Sequence, residues 1–455
     1  MTMAPARADL AQSPVGWDSS AWRPRCALVL VMTCAALAGP IGYAGQNAYA
    51  ALVGVCGVVS LPMVSLRRAP LIGMAILMAL ALWAVVSMSW SPYTPMQAHL
   101  GHYKQVEGLT AIKLVLQTLL YGAFVVLARE TPERWARRIL LAVTFGLGLI
   151  TALMVIDALS GLAVYKALDL SVHAATRPDF LQRNAGRGCF SVAVLFWPVA
   201  VWLKREGWLA AAIVLGAGLI VASIGLHVDS PVVALGLGGL VLVLVQRLGR
   251  PAIWALLAAT LLYFALTPAF FAVVGPRLPH FHTDHGIAKA SWGVRLDIWR
   301  FAGGKILERP WQGWGIDASR VWPEVEMHPH NAVLQLWLEL GVVGAALGAL
   351  FWVYVWARIG AAARANRADA GVFAAVAAAY LSIGGMSFGV WQEWWLALGV
   401  IAVIVCDTLV KVAVKPSGRT SEPTPHRQDG ARGEFMISVF RLTPAAVGGV
   451  GSSGE

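Results

Sequence analysis

An all-α fold that crosses a membrane many times is what the sequence predicts, on three observations. The mean hydropathy of +0.67 and the 58% share of hydrophobic residues across 455 positions exceed what a soluble globule carries, where the apolar share is nearer half. The apolar residues fall in runs that each approach the ~20 residues a helix needs to cross a bilayer. The basic residues fall mostly in alternate connections between those runs, the asymmetry that orients membrane proteins.

Taken in order, residues 1–25 form a polar cytoplasmic segment with Arg7, Arg23 and Arg25. An apolar run from Cys26 to about Tyr43 follows. Ala36-Leu37-Ala38 imitates a signal-peptidase site, but the run is long and more spans follow closely, so an uncleaved first helix is expected. Further runs lie near 48–64, 70–90, 109–128, 137–158, 188–203, 208–226, 231–246 and 251–274, which makes nine transmembrane helices over 26–274. Three more, near 331–357, 371–388 and 393–410, occupy 331–412, for about twelve in all. Arg67/Arg68, Arg129/Arg134/Arg137/Arg138, Lys204/Arg205, Arg247/Arg250, Arg358/Arg364/Arg367 and Lys411/Lys415 mark the cytoplasmic connections. Both termini then lie in the cytoplasm, in accord with an even number of spans. The end of the chain, 413–455, is rich in Pro, Gly, Ser and charge and reads as a disordered cytoplasmic tail.

The opposite connections, near 91–108, 159–187 and 275–330, fall outside. The last is long for a compact bundle, and such loops are usually functional or disordered. Three tryptophans within 311–322, a helical pattern and a histidine pair favour a folded, working loop. The net charge of +11 does not indicate nucleic acid, because most of the basic residues sit in the short connections that set topology. The five cysteines contain no CxxC and no metal-ligand spacing.

The chemistry-bearing residues gather at outer helix ends. His328-Pro329-His330-Asn331 leads into an apolar helix expected to run unbroken to about Trp356. Asn331, Gln335 and Glu339 recur at i, i+4 and i+8, a polar stripe that is costly in hydrocarbon and so is expected to face the bundle interior. The Gly344 to Gly348 spacing lets another helix backbone approach. The bland alternative is a structural helix end with two interfacial histidines. If 293–308 is helical, opened near Ser291 and stopped by Pro310, Arg295 shares a stripe with Trp299, Ala302 and Ile306, while Asp297, Arg300 and Glu308 point elsewhere. A guanidinium on the less polar face offers a rigid fork for phosphate oxygens, unless it merely snorkels. Arg183 and Arg187 precede the sixth helix, and Arg320, three residues from Asp317, is either a further candidate or simply paired. The string His280-Phe281-His282-Thr283-Asp284-His285 imitates the zinc ligands of metallo-β-lactamase-like hydrolases. That fold needs far more chain than this loop provides, so a surface cluster is expected and no metal or other cofactor is assigned. The twenty tryptophans concentrate near membrane boundaries, as an interfacial belt does; those in 292–322 also suit stacking on sugar faces.

The pattern His330-Asn331, nine residues, then Gly341-x-x-Gly344 resembles a signature of the bacterial O-antigen ligase family. The runs Gly293-Val294-Arg295-Leu296-Asp297-Ile298-Trp299, Gly313-Trp314-Gly315-Ile316-Asp317-Ala318-Ser319-Arg320 and Arg183-Asn184-Ala185-Gly186-Arg187-Gly188 are also similar, so the resemblance covers roughly 180 to 350. It implies a GT-C-like protein of the cell inner membrane, with a catalytic chamber opening to the periplasm. It further implies transfer of polysaccharide from undecaprenyl diphosphate to a sugar hydroxyl on lipid A-core, inverting and without metal. His330 matches the family signature and would be the base. Arg187 matches the arginine that holds the diphosphate, with Arg183 the alternative if the register shifts, and Arg295 is the second donor contact. Asn331 would orient the His330 ring or cap the helix, and His328, on an extended segment, would point elsewhere. The chemistry is coherent: a sugar hydroxyl is a poor nucleophile, so a histidine base is useful, and arginines stabilise a departing diphosphate. Two alternatives remain open, an O-antigen or exopolysaccharide polymerase or protein O-glycosylating transferase with the same chemistry, and a transporter of lipid-linked sugar or a small anion. Transporters place ionisable groups near the membrane midplane, whereas here they gather at helix ends.

Overall fold

The computed structural model describes residues 22–64, 71–93, 109–168, 178–277, 290–325 and 327–412. The segments holding Arg67/Arg68, the 280–285 string and the tail 413–455 lie outside the described residues. All regular structure described is helical: α1 (Trp22–Ala44), α2 (Ala48–Ser60), α3 (Leu71–Ser87), α4 (Thr110–Ala128), α5 (Ala136–Ser160), α6 (Ala163–Ala167), α7 (Pro178–Ala185) and α8 (Gly188–Arg205). They are followed by α9 (Leu209–Gly225), α10 (Ser230–Leu248), α11 (Arg250–Ala269), α12 (Ala290–Glu308), α13 (Ala332–Ala365), α14 (Arg367–Met386) and α15 (Glu393–Val412). Among the described residues nine helices are long and apolar enough to cross a membrane, and three shorter apolar helices, Ala48–Met63, Leu71–Ser87 and Leu209–Gly225, take the remaining apolar runs. The expected class, an all-α polytopic membrane protein, is what the chain forms.

Local chemistry sets the helix ends. Gly161, at φ 67°, closes α5 in the left-handed conformation that glycine adopts without cost. Asn366 opens α14 by accepting from the amides of Ala368 and Asp369, and prolines occupy the first turns of α10 and α11. Where α1 crosses α5, a Cβ on Gly39 would lie 2.5 Å from the backbone of Gly146, so the two helices touch through small residues. Burial separates centre from rim: 78% of the apolar window of α8 is buried, against 28% of that spanning Arg250–Arg277. The most extensive pairing is between α10 and α14.

The two ends of the bundle differ. At one, Arg205 pairs with Asp369 at 2.6 Å, Arg23 with Glu130 at 2.8 Å and Arg137 with Glu206 at 2.8 Å, while Lys411 donates to the carbonyls of Ala128, Arg129 and Thr131. At the other lie the starts of α8, α10 and α13, the end of α14 and the whole of α12. The helix expected over 293–308 is α12.

One element departs from expectation. The helix that follows the histidines is not unbroken: Gly341 stands at φ 62°, ψ −159°, which splits α13 into Ala332–Leu340 and Val342–Ala365. The close backbone approach also falls elsewhere than the Gly344 to Gly348 spacing implied. A Cβ on Gly341 would overlap the backbone of Trp311 and Gly313, whereas Gly344 and Gly348 face side chains.

Candidate active site

The break at Gly341 organises the site. Interrupting a helix frees carbonyls that a buried segment cannot leave unpaired. Here the amides of Trp314 and Gly315 donate to the carbonyls of Leu338 at 2.9 Å and Glu339 at 2.7 Å, and the Trp83 indole donates to the Leu340 carbonyl at 3.1 Å. The Val342 amide turns to the Pro310 carbonyl at 2.8 Å. The loop after α12 is thereby stitched to the first half of α13. Because an alanine at 341 meets both a conformation L residues rarely adopt and the Trp311 carbonyl, Gly341→Ala should cost at least about 1–3 kcal/mol. Thermal melts of the purified protein check this; an unchanged midpoint would show that the break is not needed for the fold.

The polar stripe faces inward, as its spacing requires. Asn331, Gln335 and Glu339 are 2%, 3% and 0% exposed. Asn331 caps α13: its Oδ1 accepts from the amides of Val333 and Leu334, both at 3.0 Å, and from the Tyr263 hydroxyl at 3.1 Å. Of its two expected uses, capping is the one these bonds show. Gln335 accepts from the Val390 amide at 2.8 Å. The Glu339 carboxyl collects four donors: Ser319 Oγ at 2.6 Å, Gln335 Nε2 at 3.1 Å, the Asp317 amide at 3.1 Å and the Trp391 indole at 2.6 Å. A buried acid so fully bonded holds the loop, α13 and the turn before α15 together, and it faces protein on all four bonds.

His330 takes a left-handed backbone at φ 53°, uncommon for a non-glycine residue. Its amide donates to His328 Nδ1 at 3.1 Å, and its own Nδ1 lies 3.0 Å from the Ser387 carbonyl. A carbonyl can only accept, so Nδ1 of the neutral ring carries the proton and Nε2 bears the lone pair. Ser387 is fixed in turn by a 2.5 Å contact between its hydroxyl and that of Ser230.

His328 departs from expectation. The left-handed turn at His330 folds the segment back, so the two rings meet edge to face at 4.3 Å instead of diverging as they would on an extended strand. His328 keeps some accessible surface, yet burial, the neighbouring His330 and the charges of Arg320 and Arg295 push its imidazole down to about 3. It is neutral at ordinary pH. Its Nδ1 accepts, so Nε2 carries the hydrogen and faces the Gln392 amide at 2.8 Å. The amide must turn its oxygen toward that N–H, which also gives the otherwise partnerless Oε1 of Gln392 a donor.

The arginines are divided between two places. On α12, Trp299, Ala302 and Ile306 are buried at 7%, 0% and 1%, the stripe expected for Arg295. The Trp299 indole donates to the Pro329 carbonyl at 2.7 Å, which pins the histidine segment to α12 one turn from Arg295. Arg295 is half-buried over the Trp292 ring at 5.2 Å. Asp297 pairs with Arg300 at 2.6 Å and Glu308 with Lys305 at 2.9 Å, both off that stripe. Arg320 bonds Asp317 at 3.0 Å, the pairing its spacing allowed. Arg187 stands apart, exposed at the start of α8, where with Asn184, Tyr165 and the 42–47 turn it lines a cavity of about 120 Å³. No contact among the described residues joins it to the histidines. The link is indirect: Phe190, three residues on, packs at 4.6 Å against Phe388, next to Ser387. Arg183 lies in α7, and its side chain is outside the described residues.

Sequence reasoning missed the 387–392 turn, which supplies Ser387, Val390, Trp391 and Gln392. Its signal was present in Gly389 and Gln392 between two apolar runs. Several tryptophans assigned to an interfacial belt are instead interior: Trp299, Trp391, Trp394 and Trp395 are 7%, 8%, 5% and 2% exposed.

Residues 211–349 match the family model described as O-antigen ligase. That stretch contains Arg295, Arg320, both histidines, Asn331, Glu339 and the Gly341 break. Proteins named "Putative polysaccharide ligase" are similar to this chain: one from Rickettsia conorii is 28% identical over 247 residues, 50% of this chain and 57% of that protein. Another from Rickettsia felis is 28% identical over 248 residues, and one from Rickettsia bellii 31% over 251, each spanning 50% of this chain and 58% of the relative. The match spans a little over half the length of these relatives. The stretch from 211 to 349, carrying the histidine pair, the capped helix and its glycine break, is thus similar to the O-antigen ligase family, as the resemblance around His330 implied.

Proposed function

We propose that the protein is a membrane glycosyltransferase of the ligase kind, which moves polysaccharide from undecaprenyl diphosphate to a sugar hydroxyl of lipid A-core. The reaction runs at the periplasmic face of the inner membrane. The observation that carries this reading is the His330 ring, whose Nδ1 is committed to the Ser387 carbonyl, which puts the lone pair of the neutral ring on Nε2. The acceptor hydroxyl gives its proton to Nε2 as its oxygen bonds the anomeric carbon from the side opposite the lipid diphosphate. The glycosidic C–O bond to phosphate breaks with inversion, and undecaprenyl diphosphate leaves with the electron pair. The imidazolium so formed is steadied by the same carbonyl. Arg295, beside the histidines, and Arg187, across the Phe190–Phe388 contact, bind the diphosphate and stabilise its departure without need of a metal. The gathering of these groups at one end of the bundle, away from the basic connections, supports an outward-facing chamber over a midplane transport site.

Deletion of the gene followed by lipopolysaccharide gel analysis tests the proposal. Loss of the whole ladder, with lipid-linked polymer accumulating, is the expected result. A single repeat surviving on the core would assign a polymerase instead, and an unchanged ladder would overturn the reading.

A further inference from the structure

A second opening lies at the other end of the bundle. A groove of about 950 Å³ runs between α8, α9 and α10 and meets the start of α14 at its mouth. Its wall is apolar, built from Phe196 and Ala200 of α8, Ala212 of α9 and Leu242 of α10, and its mouth carries Lys204, Arg205 and Arg367. The nine steps from Phe196 to Arg205 rise about 13 Å, close to half of a ~30 Å hydrocarbon core. The groove is thus about one leaflet deep and basic at one end only.

The cations at the mouth differ in their commitments. Arg205 is held by Asp369 at 2.6 Å. Lys204 and Arg367 are exposed, and neither has an ion-pair partner among the described residues. Interfacial lysines and arginines commonly snorkel over a convex helix surface. What sets this place apart is the concavity beneath the charges, whose walls offer a hydrocarbon chain contact on several sides.

We propose that the groove binds one anionic glycerophospholipid of the leaflet at the basic end. Its phosphate sits between Lys204 and Arg367, and an acyl chain lies along Phe196, Ala200, Ala212 and Leu242. The site is separate from the histidine end and does not depend on the transfer reaction.

Full-length protein, extracted in detergent and stripped of lipid, would be titrated with phosphatidylglycerol or phosphatidylcholine of identical chains and read by native mass spectrometry. One phosphatidylglycerol should be retained with a preference of about tenfold or more, as expected for two cations facing an anionic headgroup. The Lys204→Gln/Arg367→Gln variant should lose that preference while keeping its helical spectrum, and Ala212→Phe, which fills the groove, should lower retention of both lipids. Equal retention of the two lipids by the unmodified protein, or a preference that survives neutralisation of both cations, would overturn the proposal. So would inorganic phosphate displacing the lipid at the same concentration, which would make this an anion site without a chain groove.

Discussion

His330→Ala should lose transfer by about 10² to 10⁴, the usual contribution of a positioned general base, while the protein still inserts and still binds lipid-linked donor. The basis is geometric: with Nδ1 committed to the Ser387 carbonyl, Nε2 is the nitrogen that takes a proton. Purified protein with lipid-linked donor and core acceptor, assayed from pH 5 to 9, should show a rate that rises with pH. The direction follows from the base acting in its unprotonated form. His328 adds no second step, because its imidazole, pushed down to about 3, stays neutral across that range. His328→Ala should be milder, since what it takes from His330 is one hydrogen bond to its amide, worth about 0.5–1.5 kcal/mol, and a ring contact. A flat pH profile, together with high activity in His330→Gln, would make His330 a positioning group that only holds the acceptor hydroxyl.

Arg295→Ala and Arg187→Ala should each slow transfer by about 10² to 10³, the typical loss of one donor that stabilises developing charge. Lysine should restore only part of either, because a point charge lacks the two-pronged fork that matches phosphate oxygens. The two positions should differ in character. Arg295 lies where its charge reaches His328, beside the reacting groups, so its loss should fall mainly on kcat. Arg187 faces its own small cavity, so its loss should appear more in KM for the donor. Normal rates in both variants, with protein properly inserted, would remove them from the site.

The class of the fold was legible because it rests on local quantities: run length, hydropathy and the placement of basic residues. The site was legible in part. The Asn331-Gln335-Glu339 stripe and the α12 stripe of Arg295, Trp299, Ala302 and Ile306 follow from helical period alone; the first faces inward as read, and Trp299, Ala302 and Ile306 of the second are buried. The break at Gly341 was not legible, because a single glycine in an apolar run is tolerated in an intact helix. Only the amides of Trp314 and Gly315, brought in from a preceding loop, make the interruption affordable. The meeting of the His328 and His330 rings depends on one positive φ, which no spacing argument gives for a histidine. Ser387 escaped notice because it acts through its backbone carbonyl, a group every residue has.

The stitching of α13 has a consequence for the order in which the protein is assembled. The Leu340 carbonyl is completed by Trp83, 257 residues earlier in the chain, the Ile316 amide by Ser87 and the Ile316 carbonyl by Ser91. Bonds of such sequence separation form only after the intervening chain has been inserted and the early helices have docked. Until then the Leu340 carbonyl is unpaired and the Ile316 loop lacks its anchor at the end of α3. Competence for reaction therefore arrives late in biogenesis, when the first and last thirds of the chain have closed on each other, and a partly inserted chain does not yet hold the His330 ring in place.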